Sequence, residues 1–199
     1  MNFCEKLLTQ CIGASCDNPI YSGIDSTAWL ANKKEITLTY DTDFPNIVTD
    51  ITMAEGAGLY EVTQLGKTPF TGTSTTMVEG NIANKFDNNF AFLIPDNSPN
   101  AAEIIDNLAN GKFVAIIRNE YTGSDGLGSF QVYGAKKGLQ ASAIENDKYS
   151  EDTEGGWAVT LTETGTPNSA IFLVHGADDT ATQTYINTLV VDCEDGSGD

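Results

Sequence analysis

The segment KFVAIIRNEY (112–121) is almost continuously apolar, and a glycine-rich stretch separates it from a second strand-like segment, SFQVYGAK (129–136). Short runs of β-branched and aromatic residues bounded by glycine and asparagine are typical of strands. A phosphate-binding Walker loop requires Gly-Lys-Ser/Thr followed by a helix, and an EF-hand requires more acids at alternating positions between two helices. The stretch meets neither requirement, so the sequence predicts a long β-hairpin. Its tip contains Tyr121, Gly123, Ser124, Asp125, Gly126, Leu127 and Gly128.

Strand patterns continue on both sides of this hairpin. They are bounded by glycine, proline and asparagine, as antiparallel sheets usually are. We expect eight to ten strands in all, which favours a β-sandwich or barrel with one or two packed helices. The predicted strands outside the hairpin lie at 35–41, 46–54, 58–66, 85–95, 155–165 and 170–176.

Two segments have helical signals. In NSPNAAEIIDNLANG, Ser98 is a predicted N-cap, Pro99 takes the first helical position and Gly111 ends the helix. Ala101, Ile104, Ile105 and Leu108 fall on one helical face. A second helix is predicted over TATQTYINTLV, capped by Asp178 or Asp179.

The chain divides into three predicted parts. Residues 1–34 are interpreted as an irregular N-terminal arm, residues 35–192 as the sandwich or barrel domain and residues 193–199 as a flexible tail. Within the arm, we expect Tyr21, Trp29 and Leu30 to anchor on the core or on a neighbouring subunit. A projecting hairpin is also suited to reach a neighbour, so we expect the tip to become ordered there.

The charge balance is strongly acidic: 10 Lys and Arg against 28 Asp and Glu give a net charge of −18. Such a surface repels phosphate, which argues against nucleic-acid binding through a basic face. Solubility alone explains an acidic surface. A wall past which DNA slides without sticking would also be acidic.

Metal, membrane and export signals are weak. Cys11 and Cys16 have a spacing that zinc sites just permit, but Cys4 and Cys193 have no close partner, so we expect free thiols and no bound metal or other cofactor. No segment reaches the roughly 18 apolar residues that a membrane span needs. The first residues lack a secretory pattern, which favours assembly in the cytosol without a membrane anchor.

Catalytic patterns are also weak. His175 is the only histidine, and it ends the apolar run IFLVHG without a nucleophile elbow elsewhere. A lone histidine at a strand end is more often structural than catalytic. We therefore expect that the protein is not an enzyme.

The order of a helix, GKFVAIIRNEY, a glycine-rich turn, SFQVYGAKKGL and DTEGGWAVTLTETG resembles the tail-tube and related virion proteins of tailed bacteriophages, in the style of phages that infect Bacteroidetes. The resemblance spans roughly residues 35–190 and is concentrated at 111–165. It implies a β-sandwich or barrel whose copies form rings, usually hexameric, that stack into a tube. The implied partners are the chain itself, other tail proteins of the virion and passing DNA that is not specifically bound. The implied location is the virion, assembled in the host cytoplasm.

Two alternatives remain open. One is another virion role, as a head decoration protein or a connector. The other is a carbohydrate-binding sandwich, for which Trp157, Tyr133 and Tyr60 are the candidate aromatic residues, although core packing also explains their alternation with polar residues.

Overall fold

The computed structural model describes residues 21–123 and 126–191 and confirms a mainly-β fold with two helices. Two sheets pack against each other, and one helix lies on each side of the larger sheet. The strands are β1 (Ile24–Asn32), β2 (Ile36–Tyr40), β3 (Ile47–Met53), β4 (Tyr60–Thr63), β5 (Ser74–Val78), β6 (Lys85–Ile94), β7 (Phe113–Asn119), β8 (Phe130–Tyr133), β9 (Gln140–Asn146), β10 (Trp157–Thr166) and β11 (Phe172–Leu173). The helices are α1 (Pro99–Asn110) and α2 (Asp179–Leu189).

The larger sheet has seven strands in the order β2-β3-β11-β8-β7-β1-β4, and the smaller has four in the order β5-β6-β10-β9. Every neighbouring pair in the smaller sheet is antiparallel. In the larger sheet, β11 lies parallel to β3 and the other pairs are antiparallel.

Both faces of the seven-stranded sheet are covered at its centre, which explains why β7 is apolar along most of its length. Ala115 and Ile117 point into the core that the sheet shares with the smaller sheet and α1. Val114 and Ile116 point into a second core, which contains Ile186 of α2. Strands covered on both faces are apolar in runs rather than in alternation.

The prediction for α1 is largely confirmed. Ser98 caps it, its hydroxyl accepting a hydrogen bond from the Ala101 amide, and Pro99 occupies the first turn. Ile104, however, is 43% exposed. Gly111 is extended at φ −86°, so it is not in the left-handed conformation usual for a helix-terminating glycine. Glycine is needed there because a Cβ would lie 2.2 Å from the Phe113 ring.

Three strands lie where none was predicted, and the described residues form eleven strands rather than the expected eight to ten. Residues 24–32 form β1 between β7 and β4, so the interpretation of irregular structure there is wrong. Central placement in the sheet buries Ala28, Trp29, Leu30 and Ala31 on both faces. The other two are β5, which pairs with β6, and β9, whose sequence QASAIEN has little strand character and which pairs with β10.

The predicted strand at 170–176 is reduced to β11, but its neighbours still bond like a strand. Val132 N donates to Ile171 O, and Val174 N donates to Val48 O. Asp178 caps α2 by accepting a hydrogen bond from the Ala181 amide at 2.8 Å. The predicted tail at 193–199 and residues 1–20 of the predicted arm lie outside the described residues.

Candidate self-association surface

The hairpin predicted from residues 112–136 is present as β7 and β8, which pair from Ala115–Tyr133 to Arg118–Phe130. The described part of its tip makes contacts within the hairpin and with Tyr21. The Gly128 amide donates to Thr122 O at 2.8 Å, and the Tyr121 ring meets the edge of Tyr21 at 5.5 Å. Gly123, Gly126, Leu127 and Gly128 are half-buried, and Ser124 and Asp125 lie outside the described residues. A contact between this tip and a neighbouring subunit stays a prediction.

The predicted arm residues separate into buried and exposed positions. Trp29 and Leu30 are 3% and 6% exposed, and they pack into the two cores on opposite faces of the chain's own sheet. A neighbouring subunit cannot contact them while β1 is paired. Tyr21 is 55% exposed and is the member of this set that offers area to a neighbour.

A different hairpin, formed by β5 and β6, presents free surface. The two strands pair from Ser74–Asn89 to Val78–Lys85, and every residue of β5 is exposed. Its outer edge pairs with no other strand in the described part of the chain. The run from Thr68 to Val78 carries no charged residue in this acidic chain. That absence of charge is the sequence signal for this surface, which the predicted site residues do not include.

The turn of this hairpin carries exposed apolar side chains. Ile82 is 90% exposed, Met77 is 57% exposed and Val78 is 42% exposed. Glu79 begins the turn and Lys85 follows it, and both are exposed. We call Val78, Ile82 and the turn at 79–84 the Ile82 knob. Monomeric proteins usually protect a free edge with charge or proline, and β5 has neither.

A groove of about 520 Å³ lies near the other end of β6. The loop at 64–71 forms one wall, and Ala91, Phe92, Ala158 and Thr160 are among the residues that form its floor. Leu65 in this loop is 93% exposed, and Lys67 and Asp152 lie at the rim. We call this feature the Leu65 groove.

The loop that forms the groove is fixed to the sheet. Beyond the end of β5, the Gln64 amide takes the place of a strand: its Nε2 donates to Leu93 O at 2.7 Å and its Oε1 accepts from Leu93 N at 3.0 Å. Phe70 has a left-handed φ of 56°, rare for a bulky residue, and its buried ring stacks on Phe90 at 5.4 Å. The groove is therefore a formed feature of the surface.

A buried carboxylate connects the two sheets. Glu163 of β10 is 3% exposed, and its Oε1 accepts hydrogen bonds from the amides of Lys136, Lys137 and Gly138 in the turn after β8. Consecutive amides in a turn form a favourable site for an anion. Burial lowers the pKa of Lys33, and the nearby Glu163 charge opposes that effect. Glu163 therefore links β10 of the smaller sheet to the turn after β8 of the larger sheet.

His175 takes part in a cluster that attaches α2 to β3. Its ring stacks on Tyr185 at 3.7 Å, and Nδ1 lies 3.0 Å from Thr49 O. The Tyr185 hydroxyl lies 2.6 Å from Asp50 Oδ1, and burial raises the pKa of this phenol to about 12. Within 21–123 and 126–191, no serine, threonine or cysteine side chain hydrogen-bonds to the imidazole. The contacts of this cluster connect α2 to β3.

The three aromatic residues considered for carbohydrate binding do not form one platform. Tyr133 of β8 is 5% exposed, whereas Tyr60 of β4 is 43% exposed and belongs to the same large sheet. Trp157 lies on the smaller sheet and packs against the shared core.

Comparisons with protein-family models, curated proteins and solved structures found no match for this chain. In the described residues, no group of three His, Cys, Asp or Glu side chains is placed to hold a metal ion, and all four cysteines lie outside that part of the chain. None of the described helices is long and apolar enough to cross a bilayer.

Proposed function

We propose that this chain is a structural protein of a bacteriophage virion, and that its copies form the stacked rings of a tail tube. The observation that carries the proposal is the four-stranded sheet, which ends in two unpaired edges, β5 and β9, in the described part of the chain. Both edge strands are largely exposed. Closing a sheet across subunits removes such edges.

The direction of the strands supports a ring. With four antiparallel strands, β5 and β9 run in opposite directions. When copies are related by rotation about an axis roughly along the strands, β9 of one copy therefore meets β5 of the next in antiparallel pairing. Such a contact joins two different surfaces, and it forms a closed ring if the rotation closes.

Charge supports the choice of β5 as a contact and of DNA as the passing cargo. A net charge of −18 makes copies repel each other, so a stable contact favours the uncharged strand. The same net charge disfavours binding to phosphates, as a conduit for DNA requires.

The direct test is electron microscopy of the purified full chain at increasing concentration, together with mass spectrometry of virions. We expect rings or tubes, and the chain among the virion proteins. A chain that stays monomeric in sedimentation at high concentration and is missing from virions would overturn the proposal. Location of the chain in capsids rather than tails would favour the head decoration alternative.

A charge placed on the edge tests the contact itself. Met77→Lys is expected to raise the concentration needed for ring formation on the order of tenfold, because lysine on an edge strand opposes pairing. Ile104→Lys is the matched control, since Ile104 is also an exposed apolar residue but lies on α1. Equal ring formation by both variants would exclude β5 from the contact.

A further inference from the structure

The Ile82 knob and the Leu65 groove lie toward opposite ends of one strand. Lys85 begins β6 next to the knob, and Phe92 lies in the groove seven residues later. At about 3.4 Å per residue, the two features are about 24 Å apart along β6. Copies placed end to end along the strand direction therefore bring the knob of one copy toward the groove of the next.

The two surfaces have complementary shapes and polarity. In the knob, the exposed Ile82 side chain belongs to a turn that also contains the small residues Gly80 and Ala83. The floor of the groove includes the small apolar residues Ala91 and Ala158, and its 520 Å³ is in the usual range for a site that holds an inserted group. Leu65 on the groove wall is almost fully exposed, so a knob seated there would cover an apolar side chain on each partner.

The charges at the two ends also match. Glu79 lies in the knob and Lys85 directly follows it, whereas Lys67 and Asp152 line the groove. In the described part of the chain, none of these four side chains forms an ion pair. Each end thus presents one acid and one base, and Glu79 can face Lys67 while Lys85 faces Asp152. Complementary rim charges set the orientation of a partner more than they add affinity.

From these observations we infer that the Leu65 groove is a docking site for the Ile82 knob of a second copy of this chain. The contact joins two different surfaces and does not close, so it propagates along one axis. The inference rests on the proposed function, in which β5 and β9 form each ring and the knob and groove hold successive rings together.

The decisive experiment uses two full-length variants and their mixture. Ile82→Asp places a charge on the knob and leaves the groove unchanged. Leu65→Asp places a charge on the groove wall and leaves the knob unchanged. Each variant alone is expected to form rings but no stacks. A mixture in equal amounts is expected to form pairs of rings and nothing longer, because only the knob of Leu65→Asp and the groove of Ile82→Asp remain to combine. Sedimentation velocity and electron microscopy resolve these species.

The outcomes separate this inference from the proposed function. Rings of either variant that still stack into tubes would overturn the docking site and leave the ring proposal intact. End-to-end filaments without rings, sensitive to both substitutions, would support the docking site and overturn the rings. A mixture that stays at single rings while wild-type rings stack would also overturn the docking site. A wild-type chain that remains monomeric would overturn both.

A charge-reversal series tests the orientation. Glu79→Lys and Lys67→Glu are each expected to weaken stacking several-fold, and the double variant is expected to restore it, because every junction then contains the reversed pair. Glu55→Lys and Lys34→Glu make the same charge changes at exposed positions outside the knob and groove. A double variant no better than the worse single variant would show that Glu79 does not face Lys67.

Discussion

Two of the hairpins formed by consecutive strands, β7–β8 and β5–β6, differ in how far the rest of the protein covers them. In β7–β8, Ile116, Ile117 and Phe130 are at most 1% exposed, because the sheet is covered on both faces. In β5–β6, all of β5 is exposed and Ile82 extends into solvent at the turn. An apolar strand therefore marks the centre of this fold, and an uncharged, threonine-rich strand marks its free edge. The hairpin that was conspicuous in the sequence is the one that offers less surface to a partner.

The largest expected difference between the hairpins concerns stability. Ile116→Ala is expected to lower the free energy of unfolding by about 2–5 kcal/mol, because it opens a cavity in a filled core. Met77→Ala at the exposed edge is expected to change it by less than about 0.5 kcal/mol. Chemical denaturation of the two variants gives both values. Similar losses would show that β5 is buried in the protein in solution.

An intermediate effect on stability is expected at α2, the helix that packs on one face of the larger sheet. Tyr185→Phe is expected to lower the free energy of unfolding by about 1–2 kcal/mol near neutral pH. The Ile51 amide donates a hydrogen bond to the Tyr185 hydroxyl at 2.8 Å, and it loses this acceptor in the variant. Burial, with the hydrogen bond to Asp50, raises the pKa of Tyr185 to about 12, above the value of about 10 in an unfolded chain. This contribution is therefore complete below about pH 10 and is lost as the pH rises toward 12.

The measurement is the difference in unfolding free energy between wild type and Tyr185→Phe at a series of pH values. Subtracting the variant removes the effects of other titrating groups, including Tyr133 and Lys33. We expect the difference to shrink between about pH 10 and pH 12. A constant difference over that range would contradict the role given to the hydroxyl.

The smallest expected effect on stability is at the knob. Ile82→Ser is expected to leave the unfolding free energy within about 0.5 kcal/mol of wild type, because the side chain is already in solvent. Denaturation at low protein concentration, where copies do not associate, makes the measurement. A loss comparable to that of Ile116→Ala would show that Ile82 packs within its own chain.

Prediction from sequence succeeded where local signals were strong. The caps of α1 and α2 were found because Ser98, Pro99 and Asp178 act within one turn of the backbone. Strands β2, β3, β6, β7 and β10 were found from runs and alternation of apolar residues. Strand β1 was missed because Asp25, Ser26 and Asn32 dilute its pattern, although AWLA at its centre is buried on both faces.

The candidate site was harder to predict, because exposure depends on what other elements cover. Nothing local distinguishes Leu65 and Ile82 from core residues of the same type, yet they are 93% and 90% exposed. Trp29 is a large aromatic residue of the kind that anchors a chain on a neighbour, but it packs into the chain's own core. The charge-free run from 68 to 78 was the available signal, and it indicates an uncharged surface only once β5 is known to be an edge.

The sequence by itself determined the mainly-β class, the two helices with their caps, the β7–β8 hairpin and the acidic charge. These follow from backbone preferences and side-chain periodicity within about ten residues, together with the composition. The tertiary structure alone decided the strand order, the two unpaired edges of the smaller sheet and the positions of the knob and groove along β6. The physical reason is that sheet edges and exposed surfaces are set by pairing between segments far apart in the chain, as when β10 inserts between β6 and β9.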